Sequence, residues 1–304
     1  MIIDAVYTWV DGQDVAWQEQ RRARREQLAL HDDTTEIGFS DRYVQHGELQ
    51  WSLKMLQRHA PWVRRIFIIT MNQVPPDIPE IVTIVDHTVI LPADVLPTFN
   101  SHAIETVLHK IPDLSEHFIY FNDDMFVGAP VTTNDFFDGR GRPVLPWAKN
   151  RELNHLKRTL NNYEASLYTS ALLVAQHYGL ATAAYCCRYP SHTAVPKTKT
   201  SYERAWQLLP QEMRYTQQQP FRGPGQLIHY VTNYIDLAAG EANMVIGEAA
   251  YFATELQLYE HWQRTHTLPR LFCVNQIRGT RFAELMKMVT EERTPVVKIR
   301  RRKF

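Results

Sequence analysis

The chain opens on an apolar run at 2–10, IIDAVYTWV, interrupted by a single acid and rich in β-branched and aromatic residues. That pattern predicts a strand buried on both faces, closed by the turn signal Asp11-Gly12. Residues 14–30 read as a helix dense in Arg, Glu and Gln. A second helix is predicted over 47–60, with Leu49, Leu53, Leu56 and Ala60 on one stripe and Pro61 as its stop. Strands follow at 65–70 (RIFIIT) and 81–86 (IVTIVD), joined through Pro75, Pro76 and Pro79. Residues 101–110 read as a helix with Ala103, Ile104, Val107 and Leu108 inward, and a strand at 118–121 comes next. Strands alternating with helices imply an α/β fold with a mostly parallel, helix-covered sheet.

The pattern changes after residue 150. Strands are hard to find over 151–268, whereas helices are predicted at 162–178, 201–209 and 225–239. The expected organisation is one catalytic domain over 1–304: an α/β half at 1–150 and a mainly helical half at 151–304 packed on the sheet. No internal repeat or low-complexity tract stands out.

Composition narrows the class. Of 304 residues, 44% are hydrophobic and 22% charged, as in folded globular proteins. Lysine plus arginine equals aspartate plus glutamate at 33 each, so no global charge draws the chain to nucleic acid or an anionic membrane. Cys186, Cys187 and Cys273 are too few and too oddly spaced for a disulfide framework, and read as buried reduced thiols of a cytoplasmic protein. The N-terminus lacks a basic leader and reads as a strand rather than a signal peptide. No apolar run reaches the roughly 18 residues that a membrane span needs. The basic helix segment at 18–26 (QEQRRARRE) carries no interleaved aromatics, which argues for a solvated, ion-paired face over a nucleic-acid element. The closing KIRRRKF at 298–304 is either a peripheral contact for anionic lipid at the inner membrane face or a disordered end.

The chemistry concentrates at 118–128, FIYFNDDMFVG. A buried strand delivers Asn122, Asp123 and Asp124 to its carboxyl edge, where open α/β sheets bind ligands. Adjacent carboxylates there repel each other and lose hydration, costs that Mg²⁺ or Mn²⁺ relieves. A capped turn is the competing reading, since Asn and Asp favour turns and N-caps. Trp9, Asp11 and Gly12 end the first strand and suit a nucleotide base and ribose, with Gly12 allowing close approach. Thr98, Asn100, Ser101 and Glu105 form a polar cluster at a helix N-terminus, where backbone amides attract anions or where side chains simply cap.

Several stretches together resemble the Stealth family of sugar-phosphate transferases. The first is DAVYTWVDG at 4–12. The second runs through Arg42, Gly47-Glu48-Leu49, Ser52-Leu53, Ala60-Pro61-Trp62-Val63, Ile68-Ile69-Thr70, Gln73 and Pro75. It continues with LPTFNSHAIE at 96–105 and closes on NDDMF at 122–126. Ser191 to Pro196 (SHTAVP), Phe221-Arg222 and a closing motif near 271–276 match more thinly. There the family's Cys-x-Asn-Asp becomes Cys273-Val274-Asn275-Gln276, so an expected carboxylate is an amide.

The resemblance implies a Rossmann-like core similar to the metal-dependent glycosyltransferase A fold. It also implies a reaction: a nucleotide-diphosphate sugar, UDP-linked for instance, gives its sugar-1-phosphate to an acceptor hydroxyl and leaves as nucleoside monophosphate. The acceptor is a glycan or a lipid-linked primer, and the setting is surface or capsular polysaccharide synthesis. Asp123 and Asp124 are then the metal ligands, with Asn275 as a neutral oxygen. Arg222, and secondly Arg42, would clamp phosphate, because guanidinium matches phosphate geometry. Among 13 histidines, His192 is the expected general base and His102 a substrate contact. Two alternatives stay open: a glycosyltransferase releasing nucleoside diphosphate, and a non-catalytic sugar-nucleotide binding module.

Overall fold

The computed structural model describes residues 1–30, 43–152, 162–181, 188–247, 249–277 and 280–291. Arg42, the Cys186-Cys187 pair and the basic 298–304 segment lie outside the described residues.

A five-stranded sheet forms the centre. It is built from β1 (Ile3–Thr8), β2 (Ile66–Thr70), β3 (Val82–Asp86), β4 (His117–Asn122) and β8 (Val195–Thr198), in the order β3-β2-β1-β4-β8. The first four run parallel, and β8 pairs antiparallel with β4. This is the α/β class that the alternating pattern implies. Ala5, Val6, Tyr7, Phe118, Ile119, Tyr120 and Phe121 are all fully buried, which explains why β1 and β4 read as continuous apolar runs. Asp4 is buried within that run because Arg64 grips both its oxygens, at 2.9 and 2.6 Å, and Ser115 N–H donates to it.

The Glu48–His59 helix covers one sheet face with Leu49, Leu53 and Leu56. Its Ser52 Oγ donates to Met125 O at 2.6 Å and so locks the helix onto β5 (Met125–Val127). The predicted helix at 101–110 is shorter in the structure. It spans Ser101–Glu105 and gives way to a single 3₁₀ turn at Leu108–Lys110. The reason is local: Thr106 O, which should accept from Lys110 N–H, is taken by Trp206 Nε1 at 2.9 Å, and Lys110 N–H bonds Val107 O instead.

The second half carries short strands among its helices. Helices at Asn162–His177, Lys199–Leu208, Pro210–Gln218, Tyr230–Ala238 and Glu255–Thr265 are present. So are β6 (Val144–Glu152), β7 (Arg188–Pro190), β9 (Asn243–Ile246), β10 (Ala249–Phe252) and β11 (Leu271–Val274). Two small sheets result, β7-β6-β9 and β10-β11-β5. Except for β6, these strands are three or four residues long, too short for alternation to show, and proline enters both β6 and β8.

The Val15–Gln27 helix has a solvated face on which Arg22 and Glu26 pair at 3.9 Å. It is not solvated all round: Arg21 and Arg25 are buried, each with its guanidinium 5.5 Å from the Phe221 ring centre. Their aliphatic stems make that burial tolerable, and the aromatic face attracts the charge.

Candidate active site

β4 ends at Asn122, and the chain turns through Asp123 and Asp124 into β5. The turn is held from three sides. Asn122 Oδ1 lies 3.0 Å from Tyr120 Oη, which itself sits 3.1 Å from Glu105 Oε1 and 2.8 Å from Thr8 Oγ1. Gln45 Nε2 donates to Asp123 Oδ2 at 2.9 Å. Val274 N–H donates to Asp124 O at 3.0 Å, so β11 runs beside the acid pair.

The electrostatics mark this turn as under strain. Burial, then the charges of Asp124 and Glu48, push the Asp123 carboxyl up to about 7. Burial likewise raises Glu48. Asp124 Oδ1 is buried with no hydrogen-bond partner among the described residues. Its Oδ2 accepts from the Cys273 thiol at 3.2 Å and lies 3.6 Å from His192 Nε2. Crowded carboxylates with an orphaned oxygen fit a divalent cation, which would satisfy that oxygen and offset the repulsion. Asp123 and Asp124 are the carboxylates on the turn, and the Asp124 carboxylate lies within 4.8 Å of donor atoms of His192 and Cys273.

The turn faces a cavity of about 1140 Å³, roomier than the ~300–1,000 Å³ of an ordinary small-molecule pocket. Its wall includes Trp9, Thr98, Ser101, His102, Glu105, Asp123, Asp124, His192, Arg222 and Asn275. Ten of the residues expected from sequence therefore share one space. Arg222 Nη2 donates to Ser101 Oγ at 2.5 Å, which aims the guanidinium at the start of the Ser101–Glu105 helix. His192 is wedged between the rings of Tyr163 and Tyr251, at 6.0 and 6.4 Å between centres. Its Nδ1 is buried without a hydrogen-bond partner among the described residues. Glu105 Oε2 accepts from His229 N–H at 3.2 Å, which ties the cavity wall to the region before the Tyr230–Ala238 helix.

Three expected residues sit elsewhere. Asn100 is fully buried; its Oδ1 caps His102 N–H, and its Nδ2 lies 2.9 Å from Gln219 O and 3.3 Å from Phe221 O. It braces the segment that carries Arg222 rather than lining the cavity. Asp11 caps Gln13 N–H at 2.8 Å in its own turn. At Gly12 a Cβ would fall 2.3 Å from Tyr43 Cβ, so the close approach that this glycine permits is made by Tyr43. Arg42 lies outside the described residues. Gln276 lines the cavity, and its backbone oxygen accepts from Glu255 N–H.

Sequence reading missed Gln45, Glu48, Tyr163, His229 and Tyr251 as members of this site. Gln45 lies in a turn with no motif signal, and the two tyrosines and His229 come from segments that periodicity assigns only to structure. Cys273 stood in the closing motif, but nothing there said that β5–β11 pairing puts its sulfur against Asp124.

Fold and site together define an α/β protein with an acidic, cation-competent cleft at the carboxyl edge of its central sheet. Stealth protein conserved region 1 matches residues 1–29 and Stealth protein conserved region 2 matches residues 42–145, so the chain is a Stealth protein. It is 38% identical over 223 residues to a capsular polysaccharide phosphotransferase of Neisseria meningitidis serogroup B, covering 69% of this chain and 57% of that one. A capsular polysaccharide phosphotransferase of Haemophilus influenzae is 36% identical over 234 residues, 74% of this chain and 62% of the relative. An exopolysaccharide phosphotransferase of Streptomyces coelicolor reaches 49% identity over 144 residues, 46% of this chain and 24% of the relative. The chain thus spans less than two thirds of the length of these relatives. Among solved structures, an active-site mutant of LgtC aligns over 97% of this chain and 98% of its own, at 12% identity and a TM-score of 0.48.

Proposed function

We propose that the protein transfers a sugar-1-phosphate from a nucleotide-diphosphate sugar to an acceptor hydroxyl, in the synthesis of a surface or capsular glycan. The carrying observation is the meeting of Asp123, Asp124, His192 and Arg222 on one cavity. The capsular and exopolysaccharide phosphotransferases to which the chain is similar support the same reading.

Attack on the β-phosphorus spreads charge over its non-bridging oxygens, and catalysis of such a step is mostly positioning and electrostatic stabilisation. Arg222 supplies a fixed positive fork, held by Ser101. His192 Nε2 accepts the proton of the attacking hydroxyl, and Asp124, 3.6 Å away, stabilises the imidazolium formed. Mg²⁺ or Mn²⁺ held by Asp123 and Asp124, with Asn275 as a further oxygen, would neutralise charge on the diphosphate. Trp9, Thr98, His102 and Glu105 shape the remaining wall and contact the donor or acceptor. In this division of labour the 1–150 half carries the acid pair, and the later half adds His192, Arg222 and Asn275. The test is a screen of nucleotide sugars with Mg²⁺ or Mn²⁺, reading the nucleotide product. Nucleoside monophosphate supports the proposal; nucleoside diphosphate would assign the chain to the glycosyltransferases that break the anomeric bond.

A further inference from the structure

Beside the acid turn, three elements bring three different donor atoms together. Asp124 Oδ2 comes from the β4–β5 turn, Cys273 Sγ from β11 and His192 Nε2 from the segment leading into β8. All three lie within 4.8 Å of one another. The carboxylate oxygen is 3.2 Å from the sulfur and 3.6 Å from the nitrogen. Zinc binds sulfur at ~2.3 Å and nitrogen or oxygen at ~2.0–2.2 Å, so ligands on one tetrahedral ion stand roughly 3.2–3.8 Å apart. Two of the three separations already fall in that range.

The donor set is also of the right kind. A thiolate and an imidazole select zinc, whereas Mg²⁺ seeks six hard oxygens in near-octahedral array. The positions are built in. Cys273 pairs with Met125 across β11 and β5, and Val274 N–H bonds Asp124 O, so the backbones that carry the sulfur and the carboxylate are held side by side. The rings of Tyr163 and Tyr251 flank His192. Asp124 and His192 face the cavity, which leaves a fourth position open to water.

We infer that Asp124, His192 and Cys273 form a zinc site, and that zinc bound there holds the protein inactive. The second half of that statement rests on the proposed function. Without zinc, the Cys273 thiol donates to Asp124. Binding expels the thiol proton to solvent and leaves a zinc–thiolate bond, with no change of oxidation state. The lone pair of His192 Nε2 is then committed to the ion and cannot take the acceptor's proton. Asp124 is withdrawn from Mg²⁺ or Mn²⁺ at the same time. Zinc therefore acts as a competitor of the working cation, and Cys273 is the ligand that separates the two metals.

The experiment uses the full chain and Co²⁺ as a spectroscopic substitute for zinc. One equivalent of Co²⁺ is expected to give a thiolate-to-cobalt charge-transfer band in the near ultraviolet and the visible bands of a tetrahedral ion. Zn²⁺ should bleach both. Cys273→Ser should lose the charge-transfer band, and His192→Ala, which alters a partly exposed side chain, should weaken Co²⁺ binding at least ~10-fold. Under excess Mg²⁺, the zinc concentration that halves each protein's own transfer rate should rise at least ~10-fold in Cys273→Ser. Absence of the charge-transfer band, its persistence in Cys273→Ser, or activation by zinc overturns the inference. A Cys273-dependent band in a protein without any transfer activity keeps the site and removes the proposed function, so the two failures are distinct.

Discussion

Gln45 joins the end of the first strand to the acid turn: its Nε2 donates to Asp123 Oδ2 at 2.9 Å and to Val10 O at 3.0 Å, while its Oε1 accepts from Trp9 Nε1 at 3.0 Å. Every polar atom of this side chain is used. The amide thereby fixes Asp123 relative to Trp9, two residues just past the ends of neighbouring parallel strands that both line the cavity.

Removing the charge at the turn should stop the reaction without unfolding the chain. Asp124→Asn keeps the shape but not the anionic oxygens. It is expected to lower kcat/KM by at least ~100-fold, a loss typical of a key electrostatic group. Gln45→Ala should cost about 10-fold and raise the Mn²⁺ concentration needed for half-maximal rate, because Asp123 loses its brace. Both are read by steady-state kinetics across a cation series, with circular dichroism confirming the fold. A folded Asp124→Asn protein of undiminished activity would remove Asp124 from the account.

Arg222 is expected to be irreplaceable by lysine. Its guanidinium bonds Ser101 Oγ and still presents further donors to a phosphate, a geometry that one ammonium cannot copy. Arg222→Lys and Arg222→Ala should both lose about 100-fold or more in kcat/KM. Equal activity of the lysine variant would show that only charge matters there.

Buried histidine makes the fold acid-sensitive. Burial lowers His87 from 6.5 to about 4, so it is neutral in the folded protein while the unfolded chain takes up a proton below 6.5. Between those values the unfolded state binds more protons, so stability rises with pH across the window and falls as the solution is acidified. The shift corresponds to about 3 kcal/mol, at ~1.4 kcal/mol per unit. Urea midpoints should drop between pH 7 and pH 4.5, and His87→Gln should flatten that dependence. An unchanged slope in the variant would assign the acid sensitivity to other groups.

Lys197 is a second buried group with a structural task. It is fully enclosed, with Nζ donating to His229 O at 2.6 Å, Thr232 Oγ1 at 2.9 Å and Asn233 Oδ1. Burial brings its amine down to about 7. Lys197→Met removes the donor of three hydrogen bonds at the start of the Tyr230–Ala238 helix, at a cost of about 2–5 kcal/mol. Thermal unfolding of the variant measures it; an unaltered midpoint would mean that water replaces the amine.

The central sheet and the acid turn were legible because their signal is local. β1, β2 and β4 are continuous apolar runs, and Asp123-Asp124 follows one of them directly. Clustering Ser101, Arg222 and His192 on one cavity needs contacts across ~30–120 residues of sequence, which periodicity does not carry. The motifs of the family resemblance supplied these names instead. The short strands β7 to β11 escaped because three or four residues are too few for alternation to show, and proline enters β7 and β8. Asn100 and Gly12 show a different limit: residue type pointed to ligand contact, while the structure uses both to set backbone against backbone.

The central claim is that the acid turn supports attack on the sugar-bearing phosphorus, so the donor should be followed by a label on its β-phosphate. The account expects the label in the acceptor product as a phosphodiester, with unlabelled nucleoside monophosphate released, and neither formed by Asp124→Asn. Label leaving with the nucleotide while the sugar alone is transferred would contradict it.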